Sequence, residues 1–371
     1  VGETHVTALA PLAALFRANV AAGRERGALC VMRHGETLLD LHGGDATPGQ
    51  PWQPDTLACC FSVTKGVLSL LAHTLIDDGT LSLDTPVAAL WPAFAARGKD
   101  HITLAHVLTH RAGLPAVSHP VQRGDLYDWA TMTTHLAASA PVVPLDGPPV
   151  YHNMTYGHLL GEILVRAAGQ PLPALLRDRL TGPLNADFRL GLTASQQART
   201  ATLTQEDPDA LWRALRDAPD TLFARSMAFF GEGEDFNTPR WRAAVIGSGS
   251  GHATARAIAT LYGQFIWPGT LSETRRTALR TERAANPSDP ILGLPVRYGE
   301  GVELSTPPGL DFGPDPATIG HWGAGGATGL AHPASGLSFG YVTGHMSPAM
   351  GSSRRARAYV AALFTALPDL T

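Results

Sequence analysis

Phe61-Ser62-Val63-Thr64-Lys65-Gly66-Val67-Leu68-Ser69-Leu70-Leu71-Ala72-His73-Thr74-Leu75-Ile76-Asp77-Asp78-Gly79 is the stretch from which the rest of the chain is read. It has the pattern of a helix opened by Ser62, apolar through its middle, and closed where Gly79 suits a C-terminal cap. On such a helix Lys65 falls three residues after Ser62, roughly 300° around, and so on nearly the same face. Lysine is scarce here: 26 of the 28 basic side chains are arginine, and the two lysines are Lys65 and Lys99. Arginine does not give up its proton at any working pH, whereas a desolvated lysine does and then serves as a base. A serine hydroxyl needs such a base to become a nucleophile, and a helix N-terminus favours negative charge developing beside it. The competing reading makes Ser62 a plain N-cap. Lys65 weakens it, because a cation in the first turn opposes the helix dipole.

The bulk properties narrow the class. At 371 residues one large domain with an insertion, or two domains, is the natural expectation. Hydrophobic content of 44 % with 16 % charged residues fits a globular enzyme, and a net charge of −4 gives no electrostatic reason to expect nucleic acid or anionic lipid as partner. Arginines are scattered, with Arg275-Arg276 and Arg354-Arg355 the adjacent pairs. Cys30, Cys59 and Cys60 are odd in number and two are neighbours, which argues against a disulfide framework and suits a reducing compartment. The apolar runs are all interrupted, so no membrane span is expected. No metal-ligand spacing occurs among the 15 histidines, and no metal or cofactor is expected. Val1-Gly2-Glu3-Thr4-His5 lacks the basic and apolar regions of a signal, so the cytoplasm is the expected compartment, although a signal removed ahead of Val1 would leave the same start.

Outward from Ser62, residues 6–22 carry apolar side chains at helical spacing, and 28–32 with 37–41 flank Arg33-His34-Gly35-Glu36 as a β-hairpin. Residues 76–285 read as helical and loop-rich, with 208–235 a candidate long loop or lid. Strand character returns at 291–296, 318–322, 327–331 and 337–343, before a closing amphipathic helix at 354–367. The layout predicts an α+β fold: one antiparallel sheet built from both chain ends (1–75 and 286–371), flanked by terminal helices, with a mostly helical domain (76–285) inserted and the active site at their interface.

Two other motifs compete for the chemistry. Gly336-Leu337-Ser338-Phe339-Gly340 matches the nucleophile elbow of α/β-hydrolases, but it lies within a strand-like run near the C-terminus, with little chain left for an acid and a histidine. It is read as a decoy. Gly247-Ser248-Gly249-Ser250-Gly251 lacks the Lys and Ser/Thr that end a phosphate-binding P-loop.

The Ser62-to-Gly66 pentapeptide between Phe61 and an apolar helix resembles the serine β-lactamase and penicillin-binding-protein superfamily. Three further blocks extend the resemblance in order: Thr103 to Pro115; Tyr151-His152-Asn153 followed by Tyr156-Gly157; and His321-Trp322-Gly323. They resemble the class C-like branch, and within it the family VIII carboxylesterases, which share the β-lactamase fold and cleave short-chain esters. The resemblance implies Ser62 as nucleophile and Lys65 with Tyr151 as general-base system. It implies that Asn153 hydrogen-bonds Lys65 and the substrate, and that the backbone N–H groups of Ser62 and Ala324 form an oxyanion hole. Tyr151 would then be phenolate-like, its pKa lowered by the Lys65 ammonium. Alternatively Lys65 is neutral and is itself the base, and the two titrations are coupled. His73, His106 and His110 are read as structural.

Where β-lactamases carry Lys-Thr-Gly this chain has His321, Trp322 and Gly323. Histidine is largely neutral at pH 7, and an indole lining the pocket would be an apolar plate in place of a hydroxyl. Both changes point to a small-molecule ester rather than a carboxylate-bearing β-lactam. Gly344 stands where relatives often carry Asn, and Arg354 or Arg355 could restore an anion site. A β-lactamase, a D-amino-acid peptidase or amidase, and an acyltransferase are the alternatives within the superfamily; an inactive binding homologue is the alternative outside it. The sequence gives no oligomeric state.

Overall fold

The computed structural model describes residues 7–231, 233–348 and 352–369. Helix α1 (Ala10–Ala21) leads into strands β1 (Gly27–Arg33) and β2 (Glu36–Gly43). Their hairpin turns through His34 (φ 48°) and Gly35 (φ 87°), two positive-φ residues of the kind a two-residue turn between right-twisted strands requires. Helix α2 (Val63–Asp77) follows, and Gly79 just beyond it takes φ 81° as the expected cap. The helical region next supplies α3 (Tyr156–Ala168), α4 (Ala210–Asp217), α5 (Leu222–Ser226) and α6 (Ala255–Gly263).

The chain then returns to the sheet as β3 (Ala284–Asn286), β4 (Val296–Tyr298), β5 (Glu303–Leu304), β6 (Ile319–Trp322), β7 (Thr328–His332) and β8 (Leu337–Thr343), and ends in α7 (Arg354–Ala366). The sheet order is β2-β1-β8-β7-β6-β5-β4-β3, antiparallel throughout. Both chain ends thus meet at β1 and β8, paired from Gly27 opposite Thr343 to Arg33 opposite Leu337.

Central strands β7 and β8 are buried along their whole length, because both faces are covered. One face packs under α1 and α7 in an apolar cluster that includes Phe16, Phe339 and Tyr359. The other packs against α6, α2 and the helical region in a larger cluster. Helix α6 lies so close to β8 that a Cβ on Gly340 would sit 2.1 Å from the Ala255 carbonyl. Gly336 takes φ 69° in the preceding turn. Both glycines of the elbow-like motif therefore have packing reasons, and Ser338 between them is buried with no hydrogen-bond partner for its hydroxyl.

Several boundaries differ from the sequence reading. The expected strand 291–296 is a turn: Asp289 Oδ1 accepts the N–H groups of Ile291 and Leu292, Gly293 takes φ 70°, and β4 begins only at Val296. The candidate lid at 208–235 contains α4 and α5 rather than extended loop. Val6, where the first helix was expected to begin, lies outside the described residues. Arg355 makes no anion site at Ser62; its Nε is 3.0 Å from buried Glu25 and also donates to the Tyr341 hydroxyl. Arg354 is exposed on α7. The Gly344 carbonyl is taken by Arg26 Nη2. Among the described residues no helix is long and apolar enough to cross a membrane.

Candidate active site

Ser62 is delivered by an unusual backbone step. Phe61, just before it, has φ 44°, a left-handed conformation that a bulky residue adopts only where its surroundings hold it there. Here the ring packs edge-on against Phe236 (5.3 Å) and against Trp241 (6.1 Å). Ser62 occupies the N-cap position of α2 but caps nothing. Instead Lys65 Nζ donates to its Oγ at 2.9 Å. The plain-cap reading therefore falls.

Lys65 is 1 % exposed, and its Nζ also donates to the Ser248 carbonyl at 2.8 Å. Burial pushes its amine down to about 7, against an opposing pull from the Glu303 carboxylate. The other lysine, Lys99, holds the carbonyls of Ala96, Ala137 and Ser139 and is structural. The segment around Ser248 was read in the sequence only as a failed P-loop. Its glycines serve close approach: a Cβ on Gly157 would lie 2.1 Å from the Ser248 nitrogen, and one on Gly247 would lie 2.5 Å from Leu68. Ser248 Oγ accepts from the Gly157 N–H (2.6 Å) and donates to the Met154 carbonyl (2.7 Å), which sews this segment to the N-terminus of α3.

Tyr151 comes to the same place from the loop before α3. Its ring centroid is 4.9 Å from Lys65 Nζ, its backbone N–H donates to Asp289 Oδ2 at 2.7 Å, and its phenol is hydrogen-bonded to the Ser62 side chain. The phenol pKa lies well above its usual value, chiefly through burial and then through the Glu303 carboxylate; the Ser62 hydrogen bond only partly offsets this. Burial therefore opposes the phenolate expectation and favours the alternative in which Lys65 is the neutral group. In so dry an environment the group that loses its proton most readily is the amine, which becomes neutral, rather than the phenol, which would become charged. His110 (φ 57°) packs its ring at a tilt 5.1 Å from Tyr151, and its Nδ1 accepts the His152 N–H at 3.0 Å. The histidine read as structural therefore braces the Tyr151 loop.

Asn153 lies on the pocket wall, but it does not bond Lys65 as expected. Its Nδ2 donates to Met227 Sδ at 3.1 Å, while the Lys65 amine donates to Ser62 and Ser248. Neither His321 nor Trp322 reaches the pocket. The alternation of β6 turns the two side chains to opposite faces. The Trp322 indole stacks on Phe312 (5.5 Å, 12°) in the cluster beneath the terminal helices, which corrects its expected place as a wall. His321 is 2 % exposed, donates from Nδ1 to the Trp322 carbonyl at 2.8 Å, and is pushed down to about 3 mainly by burial.

Gly323 is required where β6 passes the nucleophile, since a Cβ there would lie 2.2 Å from the Cys60 carbonyl. Its N–H donates to the Ala327 carbonyl at 2.7 Å, which turns the chain so that Ala324 lines the pocket together with Ser62. Among the described residues, no carbonyl engages the backbone N–H of Ser62 or of Ala324. All three cysteines are free and buried, and burial raises the Cys59 thiol to about 11 and the Cys60 thiol further, so neither is a competing nucleophile.

The sequence reading missed Glu303. It is 2 % exposed on β5, and its Oε1 faces His321 Nε2 at 3.4 Å. A two-residue strand with one acidic residue carries no motif; the one available signal was a carboxylate in an otherwise apolar β-region.

Over Ser62 opens a cavity of about 210 Å³. Its walls are mainly aromatic and aliphatic, with Phe61, Trp241 and Phe230 on one side and Leu211, Phe223 and Met227 from the α4–α5 segment on the other. Among the described residues no Lys or Arg lines it, and the one charged lining residue, Asp207, is paired with Arg213 at 2.6 Å.

Comparison with known proteins places the chain in a family of the same fold. The β-lactamase family profile fits residues 12–364. Esterase/beta-lactamase LipL of Mycobacterium tuberculosis is 32 % identical over 336 residues, which cover 85 % of this chain and 76 % of that protein. A penicillin-binding protein homologue from Caulobacter crescentus superposes with a TM-score of 0.85 at 31 % identity, covering 97 % of this chain and 98 % of the other. A family VIII carboxylesterase structure gives 0.84 at 30 % identity with the same coverage.

Proposed function

The chain belongs to the β-lactamase family, and from that membership we propose that it is a serine carboxylesterase which cleaves short-chain esters through an acyl-enzyme on Ser62. The observation that carries the reading is the 2.9 Å contact between Ser62 Oγ and a desolvated Lys65 amine at the mouth of an apolar cavity. Relatives with esterase in their names and a family VIII carboxylesterase structure support the substrate class.

In this reading neutral Lys65 takes the Ser62 proton as Oγ attacks the ester carbonyl carbon. The oxyanion is received by the N–H groups of Ser62 and Ala324, each such donor being worth about 3 kcal/mol in the transition state. Tyr151, protonated and bonded to Ser62, passes a proton to the departing alkoxide and regains one from the Lys65 ammonium. The alcohol leaves, and water attacks the acyl-enzyme by the same steps reversed. The free carboxylic acid and the starting Ser62 result. Asn153 on the wall offers its amide to the substrate carbonyl region.

The cavity selects the substrate. A carboxylate-bearing β-lactam would meet no Lys or Arg among the described lining residues, an uncompensated burial of charge. Its volume lies below the ~300–1,000 Å³ of sites for drug-sized ligands, which suits a short acyl chain. Purified protein should therefore turn over p-nitrophenyl acetate and butyrate and leave a chromogenic cephalosporin largely intact; the opposite pattern sinks the ester reading. A fluorophosphonate probe should label wild type and not Ser62→Ala.

A further inference from the structure

The loop that carries Tyr151 has no regular structure of its own, for residues 139–155 form neither helix nor strand. Its hold on a buried phenol comes from two other places. His110 takes the first and third of three successive amides: its carbonyl accepts from the Val150 N–H at 3.0 Å, and its Nδ1 from the His152 N–H at 3.0 Å. The amide between them, that of Tyr151, goes instead to Asp289 Oδ2 at 2.7 Å. Two residues earlier, the Pro149 carbonyl accepts from Asn286 Nδ2 at 2.9 Å. Asn286 ends β3, and Asp289 lies in the hairpin loop between β3 and β4. The edge of the sheet thus grips the Tyr151 loop.

Two observations set Asp289 apart from an ordinary turn residue. Its Oδ1 accepts from the Ile291 and Leu292 N–H groups, at 2.8 and 3.0 Å, and an exposed aspartate would shape the turn equally well that way. Yet Asp289 is 0 % exposed, and burial of a carboxylate is costly unless its oxygens are bonded. Its other oxygen serves Tyr151, 138 residues distant in sequence. The backbone fixes where that oxygen sits, since the Asp289 N–H donates to the Leu294 carbonyl (2.9 Å) and its carbonyl accepts from the Gly293 N–H (2.7 Å). Burial pushes the Asp289 carboxyl up, and the three amide hydrogen bonds pull it back. After burial and Glu303, its charge adds to what keeps the Tyr151 phenol protonated.

We propose that Asp289, seconded by Asn286, is a positioning residue that fixes the Tyr151 phenol where it can protonate the departing alkoxide. The inference rests on the role proposed above for Tyr151 as proton donor. In that step the phenol proton passes to the alkoxide oxygen as its bond to the acyl carbon breaks, and the phenolate regains a proton from the Lys65 ammonium. Asp289 does not line the cavity and acts through the Tyr151 backbone.

The test compares p-nitrophenyl butyrate with ethyl butyrate, one acyl group on two leaving groups. p-Nitrophenolate is a weak base and departs without a proton, whereas ethoxide is a strong base and needs one, so the ethyl ester reads the Tyr151 donor. Asp289→Asn keeps the size of the side chain but has one acceptor oxygen. With that oxygen on the two turn amides, its N–H₂ faces the Tyr151 N–H, donor against donor, and the loop must shift. Because misplacement by about 1 Å costs up to ~100-fold, kcat/KM should fall at least ~10-fold further on the ethyl ester than on the p-nitrophenyl ester. Tyr151→Phe should show the same split, larger. Fluorophosphonate labelling of Ser62 should persist in Asp289→Asn, since fluoride leaves without that proton.

A folded Asp289→Asn protein that slows both esters equally, or neither, overturns the inference and leaves the esterase reading in place. Loss of labelling would mean that the serine itself is displaced, and overturns it too. A Tyr151→Phe protein without the split removes the donor role, and the inference with it. Circular dichroism and thermal melting report whether Asp289→Asn folds. If it does not, Asn286→Leu, which releases the Pro149 carbonyl, carries the same comparison: a split supports the grip of the hairpin on the loop, and equal losses overturn it.

Discussion

The backbone carbonyl of Ser248 accepts a hydrogen bond from Lys65 Nζ at 2.8 Å. This contact gives the amine a direction. With one N–H committed to Ser248, the amine is held 2.9 Å from the Ser62 hydroxyl, within reach for the proton transfer proposed above. The position of the carbonyl depends in turn on Gly157, whose N–H donates to Ser248 Oγ and whose missing side chain lets the two backbones touch.

Gly157→Ala should therefore damage the site through a methyl group that never meets substrate. The added Cβ would lie 2.1 Å from the Ser248 nitrogen, so the segment must shift. Overpacking of this kind typically costs about 1–3 kcal/mol in stability, and displacement of the carbonyl should lower kcat by at least ~10-fold with KM little changed. Urea unfolding together with steady-state kinetics reads both. A variant with wild-type kcat would show that the Ser248 contact does not orient the base.

Lys65→Arg keeps a cation where a removable proton is required. Guanidinium stays protonated, so the base is lost and kcat/KM should fall ~10²–10⁴-fold. Because Lys65 is buried, the larger group also perturbs packing, and Lys65→Met serves as the control of similar length without charge. Both should be inactive. Activity surviving in Lys65→Arg would reduce the scarcity of lysine in this chain to arginine bias.

The pH profile follows from the same group. In the proposed mechanism Lys65 must be neutral to act, and burial pushes its pKa down to about 7. Activity should rise with pH through that value, half of kcat/KM being lost near pH 7 and more below. Tyr151 is displaced the other way, well above the ordinary phenol. It keeps its proton, and no alkaline fall-off from its ionisation is expected below about pH 10. A phenolate base predicts instead that activity tracks a tyrosine ionisation seen in the ultraviolet spectrum, which is the measurement that separates the two.

The same contrast shows what sequence conveys and what it withholds. The hairpin, the Ser62 helix, the late strands and the terminal helices were legible, because burial on one or both faces writes itself into apolar spacing. So was the convergence of Ser62, Lys65 and Tyr151. The direction of the Tyr151 shift was not, since it depends on how dry the site is and on Glu303, a distant residue with no motif around it. Trp322 was misplaced because adjacency in sequence means opposite faces in a strand. The turn at 291–296 was missed because its cause is the Asp289 carboxylate capping two amides, a contact that hydrophobic periodicity does not record.

Ser338→Ala should leave activity unchanged. The hydroxyl is buried mid-strand without a partner, so its removal takes away an unsatisfied polar group and should leave stability equal or slightly raised. If it abolished turnover while Ser62→Ala kept it, the elbow-like motif would be the nucleophile after all.

The α4–α5 segment supplies the last prediction. Ala214 lies on the exposed side of α4 yet lines the cavity, so a larger side chain there fills space without disturbing the core. Ala214→Leu adds three carbons to a cavity of about 210 Å³. If α4 walls the acyl subsite, the butyrate ester should lose about tenfold in kcat/KM, within the 1–3 kcal/mol that pocket-filling methylenes are worth, while the acetate ester is spared. Using p-nitrophenol as the leaving group in both holds the alcohol side constant, so the ratio reports on the acyl side alone. Equal loss on both esters would mean that α4 obstructs entry instead of measuring chain length. An unchanged ratio with unchanged rates would place the acyl chain against Phe230 and Trp241, away from α4.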